Sequence, residues 1–283
     1  CDIFGPNVHI KLFADDAKIY MSVDTALDRE LLQLGLDALS QWADKWQLTV
    51  SIPKCSVLHI GNRNGCMSYE LYGTVLPDAK FIVDLGVTID SNLNYKQHIK
   101  NITIKAHQRA CLIVRCFKSR DPTLLFRAFC VYVRPLLEYC VPVWSPCYLT
   151  YIVMIEAVQR RFTKRLLNFR HLSYEDRLHK LNADSLELRR LKLNLATMYK
   201  IIHGGMELDF NSLFSLSNAF TRGHNFKLVK PSVTLNSFKF SFACRTVDCW
   251  NFLPNDVVSA SSIAIFKNLL DKVNLGNFLH VAI

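Results

Sequence analysis

The stretch KLFADDAKIY, residues 11–20, lies near the start of this 283-residue chain. Apolar and polar side chains alternate before its two aspartates, from Val8 to Phe13, and again after them, from Ala17 to Met21. A two-residue period is typical of β-strands. The stretch therefore predicts a β-hairpin with Asp15 and Asp16 at its tip.

Two adjacent carboxylates repel each other, and an oxygen-preferring divalent cation such as Mg²⁺ or Mn²⁺ would relieve that repulsion. Paired carboxylates of this kind hold the ions in two-metal nucleotidyl-transfer sites. The alternative is an ordinary turn, since Asp is a favoured turn residue. Against a plain turn, the sequence Ala14-Asp15-Asp16-Ala17 lacks the Gly or Asn that tight hairpins prefer.

Further α and β patterns surround this hairpin within residues 1–92. From Asp24, a candidate N-cap, apolar residues recur at the 4-3-4-4 spacing of an amphipathic helix; they are Leu27, Leu31, Leu34, Ala38 and Trp42. Alternating patterns predict strands at 48–52, 57–60, 69–72 and 81–89. The first region is therefore predicted to be mixed α+β.

After Asp90 the periodicity becomes mainly helical. Helices are predicted over 99–117, from Asp121-Pro122 to a break at Pro135, over 155–166, from a cap at Ser173, and over 188–202 before Gly204-Gly205. A strand at 238–242 and a last helix at 262–273 complete the pattern. The predicted fold class is α+β, with regions 1–92, 93–205 and 206–283.

Charge is unevenly distributed along the chain. Residues 1–99 have a net charge of −4, residues 100–202 have +12 from 19 basic and 7 acidic side chains, and residues 203–283 have +2. A basic helical middle favours a polyanion such as nucleic acid, because binding would release counterions. Solvated helix faces of a basic protein would give the same count.

Composition excludes several other classes. Half of the residues are hydrophobic and 20% are charged, which is ordinary for a globular protein. The apolar stretch 124–144 contains Arg127, Arg134 and Glu138, so no membrane span is predicted. Ten cysteines occur without a C-x2-C pair, which favours reduced thiols in the nucleus or cytoplasm over a zinc site. No G-x-S-x-G, P-loop or H-E-x-x-H motif occurs.

Several blocks, in order along the chain, resemble the reverse transcriptases of LINE-type (non-LTR) retrotransposons. Residues 11–20 are similar to the FADD form of the palm motif, 46–61 to the next palm motif, and 84–90 to the primer-grip hairpin. Residues 134–139, 158–162, 221–224 and 250–254 resemble the region after the palm. The resemblance implies a partial palm of β-hairpins and a helix, a mainly helical thumb, and a small mixed C-terminal region.

The resemblance also implies residue roles. Asp15 and, with less weight, Asp16 would bind the catalytic metals, and Lys54 would assist the leaving pyrophosphate unless it is a solvated turn lysine. Leu85 and Gly86 would lie near the primer backbone, although Gly86 also fits a strand bulge. Phosphate contacts would come from the thumb-like helices, through Lys100, Lys105, Arg109, Arg161, Lys164 and Arg165.

The implied substrates are an RNA template, a DNA primer and deoxynucleoside triphosphates. Two Mg²⁺ or Mn²⁺ ions are expected only in a complete enzyme, because another palm aspartate and the fingers lie upstream in this family. The chain starts at Cys1 just before the hairpin, with Asp2 its one earlier carboxylate. It is therefore expected to be a partial copy, and a non-catalytic nucleic-acid-binding module or an inactive transposon relic is the alternative.

Overall fold

A computed structural model describes residues 4, 7–61, 64–217, 223–233 and 236–281. The chain divides into two compact units, Cys1–Asn94 and Tyr95–Ile283. The boundary between the two units lies close to Asp90, where the sequence predicts a change from mixed α+β to mainly helical structure. Four residues named in the sequence predictions lie outside the described residues: Cys1, Asp2, Thr221 and Arg222.

The N-terminal unit combines one long helix with short antiparallel strand pairs, so the predicted mixture of α and β is confirmed here. Strand β1 (His9–Phe13) pairs with β2 (Asp16–Tyr20), β3 (Glu70–Leu71) with β4 (Thr74–Val75), and β5 (Phe81–Asp84) with β6 (Val87–Asp90). Helix α1 spans Ala26–Lys45. The hairpin predicted at the two aspartates is present. The single strand predicted at 81–89 is instead a hairpin, because the chain turns at Leu85 and Gly86 between β5 and β6.

Helix α1 begins one residue later than predicted, because Thr25 rather than Asp24 is the N-cap. Its hydroxyl accepts a hydrogen bond from the Asp28 amide (3.2 Å), and the Asp28 carboxylate accepts from the Thr25 amide (2.7 Å). This reciprocal capping box satisfies amides that the first helical turn leaves unpaired. The Thr25 hydroxyl and the backbone amides hold the pKa of Asp28 below its usual range.

The apolar stripe that defines α1 in the sequence is not the buried side of the helix. Leu27 and Leu34 are 63% and 61% exposed, whereas Gly35 and Ala43 are buried. The helix is held on its other side by Gln33, whose side-chain amide bonds both the amide and the carbonyl of Glu70, each at 3.0 Å. Periodicity therefore predicted the helix correctly but not the face that packs.

Two predicted strands do not form. Residues 48–51 have no regular structure, and Ile52–Lys54 is a 3₁₀ turn instead of the end of a strand. Pro53 favours that turn, because its fixed φ suits a first helical turn and it has no amide hydrogen for a ladder. In the predicted strand at 57–60, Val57 makes an isolated parallel bridge with Asp78.

The second unit is mainly helical, as predicted. Its longer helices are α2 (Lys96–Cys116), α3 (Pro122–Tyr132), α6 (Leu149–Lys164), α7 (Tyr174–Lys180), α8 (Leu186–Ile202) and α14 (Ile263–Leu270). The shorter ones are α4 (Arg134–Glu138), α5 (Val141–Trp144), α9 (Phe210–Leu213), α10 (Asn236–Lys239), α11 (Phe242–Arg245), α12 (Val247–Phe252) and α13 (Asn255–Val258). A 3₁₀ turn at Gly276–Phe278 follows α14.

The core of this unit explains why residues 95–205 and 206–283 fold together. Helix α8 carries Leu195, Met198 and Ile201 into a cluster with Trp250 and Phe266 from the C-terminal region. Nearer the start of the unit, the Phe129 and Phe162 rings stack at 4.7 Å between α3 and α6. Helix α8 thus packs the predicted regions 93–205 and 206–283 into one core.

The predicted strand at 238–242 is wrong, because α10 and α11 occupy this segment. The guanidinium of Arg245 donates hydrogen bonds to the carbonyls of Phe240, Val141 and Pro142, at 3.0, 3.3 and 2.6 Å. These bonds fix the turn between the two short helices, and the alternating phenylalanines do not form a ladder. Among the described helices, none has the length and hydropathy needed to cross a membrane.

Candidate catalytic hairpins and nucleic-acid interface

The FADD hairpin places both aspartates at an exposed tip. Phe13 is paired with Asp16, so only Ala14 and Asp15 connect β1 to β2. Ala14 has φ of +52°, a left-handed conformation that a non-glycine residue adopts at a cost of roughly 1–2 kcal/mol. The side chains of Asp15 and Asp16 are both exposed. The tight turn is therefore formed without the Gly or Asn that such turns prefer.

A second hairpin is tied to the first by an ion pair. Lys18 of β2 contacts the carboxylate of Asp84, the last residue of β5. Alternate residues of a strand share a face, so Asp16 and Lys18 lie on the same side of β2. Leu85 and Gly86 form the turn that follows Asp84, with φ of +45° and +83°. The ion pair therefore holds the predicted primer-binding turn beside the hairpin that carries the aspartates.

The predicted catalytic lysine is not joined to these carboxylates. Lys54 is exposed at the end of its 3₁₀ turn. Within residues 7–61 and 64–94, no hydrogen bond or ion pair is found for the side chains of Asp15, Asp16 or Lys54. The predicted catalytic role of Lys54 therefore rests on sequence resemblance and not on a contact.

The described residues do not make a complete divalent-metal centre. No group of three or more His, Cys, Asp or Glu side chains with metal-binding geometry occurs in the part of the chain that the structure describes. Mg²⁺ requires near-octahedral oxygen ligation, and Asp15 and Asp16 would supply only two carboxylates of that set. A Mg²⁺ ion bound there would therefore need further ligands.

All six basic residues predicted to bind nucleic acid have exposed side chains, but they are divided between two sides of α2. Helix α2 packs against α6, and the guanidinium of Arg165 bonds the Cys111 sulfur at 3.5 Å. Lys100, His107 and Cys111 share that side of α2, because residues seven or eleven apart lie on one helical face. We call His107, Arg161, Lys164 and Arg165 the α2–α6 basic surface.

His107 completes this surface and was not among the predicted residues. It is half-buried, and burial together with the nearby Arg161 and Arg165 guanidinium groups lowers its pKa. His107 is therefore neutral at pH 7, and Arg161, Lys164 and Arg165 carry the positive charge. A signal for it exists in the sequence, since His107 lies seven residues after Lys100 within a basic helix.

Lys105 and Arg109 lie on another side of α2 and have different surroundings. The guanidinium of Arg109 donates to the carbonyl of Tyr132, the last residue of α3, at 3.2 Å. A cation at that position also favours the negative end of the helix dipole. Lys105 is near His98, whose pKa it helps to lower. These two residues are thus apart from the α2–α6 basic surface.

Sequence comparison relates the chain to a nematode protein. It is 30% identical over 139 residues to the Caenorhabditis elegans "Uncharacterized protein B0403.1", and the match covers 48% of this chain and 69% of that protein. The chain belongs to the family of this nematode protein.

Members of a second group match more distantly. The "RNA-directed DNA polymerase from mobile element jockey" of Drosophila melanogaster is 26% identical over 165 residues, and its Drosophila funebris counterpart is 24% identical over 164 residues. Each match covers 56% of this chain but 18% of the polymerase. The chain thus contains a region related to this polymerase and spans less than a fifth of its length. No protein-family model and no solved structure matches the chain.

In three of the sequence blocks that resemble the LINE-type polymerases, side chains make hydrogen bonds to other segments of the second unit. In 134–139, Glu138 accepts a bidentate pair of hydrogen bonds from Arg189, at 2.5 and 3.1 Å. In 158–162, the Gln159 amide donates to the Tyr174 hydroxyl (3.1 Å) and to the Asp184 carbonyl (3.0 Å). Arg161 is the exposed residue of that block.

In 250–254, the Asn251 side chain bonds both the amide and the carbonyl of Leu228, at 2.9 and 2.8 Å. The buried Trp250 ring donates to the Phe226 carbonyl at 2.8 Å. These bonds hold the segment around Leu228 against α12. In these three segments, Glu138, Gln159, Trp250 and Asn251 therefore make contacts that maintain the fold of the second unit.

Proposed function

We propose that the chain is a nucleic-acid-binding region of an RNA-directed DNA polymerase of the LINE type. Residues 1–92 would be its partial palm, 93–205 its thumb and 206–283 its C-terminal region. The similarity to the two jockey polymerases carries this proposal. The exposed FADD hairpin and its ion pair to the second hairpin support it, because both would have to face substrate.

The activity that the described residues support best is binding to the phosphate backbone of an RNA–DNA duplex. The α2–α6 basic surface presents Arg161, Lys164 and Arg165, all exposed, and none of the three has a carboxylate partner within the described residues. Guanidinium groups without a carboxylate partner remain available to phosphate oxygens, which they bind in a bidentate manner. Such contacts give affinity without reading bases.

Charge removal from this surface tests the binding proposal. In Arg161→Gln/Arg165→Gln, the dissociation constant for a labelled RNA–DNA hybrid should rise about 5- to 30-fold at ~0.1 M salt, because two phosphate contacts are lost. The slope of log affinity against log salt should fall by about 2. Fluorescence anisotropy at several NaCl concentrations measures both quantities.

The matched control removes the same charge elsewhere. Lys267→Gln/Lys272→Gln changes two exposed lysines in and just after α14, and circular dichroism verifies that both variants are folded. The control should bind the hybrid as the wild type does. An equal loss of affinity in the two double variants would mean that diffuse net charge, and not this surface, binds nucleic acid.

Catalysis is a separate question, because Asp15 and Asp16 need further metal ligands. We propose that these carboxylates and Lys54 serve the polymerase site, with Leu85 and Gly86 beside the primer, only when those ligands are present. The 283-residue chain alone should therefore bind the hybrid equally well with and without Asp15→Asn/Asp16→Asn. Primer extension on an RNA template with Mg²⁺ or Mn²⁺ should give no product above background. DNA synthesis by the chain that Asp16→Asn abolishes would contradict the proposal that the chain alone binds nucleic acid without catalysis.

A further inference from the structure

A cleft in the second unit lies at the end of α8 and has no role in the function proposed above. Its volume is about 580 Å³, and it is lined by the last turn of α8, by Phe226 and by the segment that leads into α14. Ligand sites of small molecules commonly enclose ~300–1,000 Å³. The cleft is therefore large enough for a nucleotide-sized molecule.

Hydrogen bonds across the cleft fix its walls. The Tyr199 hydroxyl donates to the Ala260 carbonyl at 2.5 Å, and the His203 Nε2 donates to the Val258 carbonyl at 2.9 Å. The carbonyl can only accept, so Nε2 carries a hydrogen. Because both bonds join α8 to the segment before α14, a ligand would meet a formed site and would pay little to order it.

One wall of the cleft is aromatic. The His203 ring lies 4.3 Å from the Tyr199 ring and 5.1 Å from the Phe226 ring, measured between centroids. His203 is exposed, whereas Tyr199 is buried beneath it. An exposed ring supported by other rings is a stacking platform for a planar base.

Other residues of the lining are basic or carry hydroxyl groups. Lys200, Ser261 and Ser262 are exposed, and the described lining contains no carboxylate. A lysine with hydroxyl donors and no acidic neighbour favours a bound anion. The dipole at the start of α14, where Ser262 is the N-cap, adds to this preference.

We infer that this cleft binds a nucleotide unit, with the base against His203 and the phosphate at Lys200, Ser261 and Ser262. The aromatic platform and the basic, hydroxyl-bearing part of the lining together match a ligand that carries both a heteroaromatic ring and a phosphate. The source of that unit is either a free nucleotide or one nucleotide of a single strand. The inference does not depend on the α2–α6 basic surface.

Calorimetric titration of the whole chain tests the assignment with four probes: adenosine 5′-monophosphate, adenosine, inorganic phosphate and an RNA pentamer of adenosines. The monophosphate should bind saturably with a dissociation constant of ~0.1–1 mM. Adenosine and phosphate alone should each bind at least about 10-fold more weakly, because each uses half of the site. A pentamer that binds more tightly than the monophosphate, and that loses this gain in Lys200→Gln, identifies a strand as the source, and equal affinity identifies the free nucleotide.

Variants locate the binding. Lys200→Gln should raise the dissociation constant of the monophosphate about 5- to 10-fold, and Ser261→Asp should do the same by repelling the phosphate. Lys267→Gln, which changes an exposed lysine on α14 outside the lining, should leave the dissociation constant unchanged. The inference fails if no probe binds saturably, if phosphate binds as tightly as the nucleotide, or if folded Lys200→Gln retains wild-type affinity.

Discussion

Replacing Glu156 by alanine is expected to lower the free energy of unfolding of the second unit by about 3–5 kcal/mol. Glu156 is 1% exposed in the middle of α6, and its carboxylate joins three helices. It accepts hydrogen bonds from the Tyr174 hydroxyl of α7 and from the Leu186 and Glu187 amides of α8, the last two at 3.1 Å each. Alanine would leave all three donors buried and unpaired.

The neighbouring buried charge increases the expected cost. Arg190 is 2% exposed, and neither of its terminal nitrogens has a hydrogen-bond partner among the described residues. Glu156 and Glu187 stabilise its charged form, while burial lowers its pKa. Removing one of these carboxylates leaves the guanidinium less compensated in a low-dielectric interior, which is where single-partner deletions are most destabilising.

Urea unfolding monitored by circular dichroism and tryptophan fluorescence measures this effect. Glu156→Gln should recover little of the stability, because one half of the carboxamide would present N–H donors to the α8 amides instead of an acceptor. Glu175→Ala, which removes an exposed carboxylate of α7, should change stability by about 0.5 kcal/mol or less. A Glu156→Ala protein within about 1 kcal/mol of the wild type would contradict the proposed role of this carboxylate.

Acid is expected to destabilise the second unit by up to about 3 kcal/mol through one histidine. His98 of α2 is 3% exposed, and its ring lies 5.1 Å from that of Trp144. Burial, aided by the nearby Lys105, lowers the pKa of His98 to about 4 from an ordinary value of 6.5. Folded His98 is therefore neutral over a pH range in which the unfolded chain binds a proton.

The sign of the effect follows from this difference. Well above pH 6.5 neither state is protonated at His98, so its contribution to stability is fully retained. Between pH 6.5 and about 4 only the unfolded state gains the proton, and stability falls as the pH decreases. Below about pH 4 both states are protonated, and this group causes no further loss.

The experiment compares urea midpoints at pH 7.5 and 4.5 for the wild type and for His98→Gln. The variant should lose less stability over this interval, even if it is less stable at pH 7.5. Some dependence should remain, since burial also lowers the pKa of His224. His171→Gln, at an exposed position, is the control and should retain the wild-type difference. An unchanged pH dependence in His98→Gln would show that other groups cause it.

Local signals in the sequence predicted the starts of α3 and α7 and the end of α8. The Asp121 carboxylate accepts from the Thr123 and Leu124 amides, Ser173 caps α7, and Gly204 takes a positive φ after α8. Caps succeed as predictors because the groups that they satisfy lie within one turn of the capping residue. The FADD hairpin was predictable for a similar reason, since its two strands are adjacent in sequence.

Predictions that depend on distant partners were less reliable. The alternating residues at 48–52 and 238–242 do not form strands, since alternation creates a strand only where another backbone supplies the ladder. The apolar stripe of α1 gave its helical period but not its buried side, which the contact of Gln33 with Glu70 determines. The polar contacts around Glu156 had no local signature, because their members come from three helices.

The sequence by itself determined the hairpin that carries the two aspartates, most of the longer helices and the concentration of positive charge in the middle of the chain. These properties arise from short-range backbone requirements and from composition. Only the tertiary structure decided that Arg161, Lys164 and Arg165 share a surface with His107, that Arg109 instead caps α3, and that Lys18 holds the second hairpin through Asp84. Such outcomes depend on which elements pack together, and packing is set by the shape and burial of side chains that are far apart in the chain.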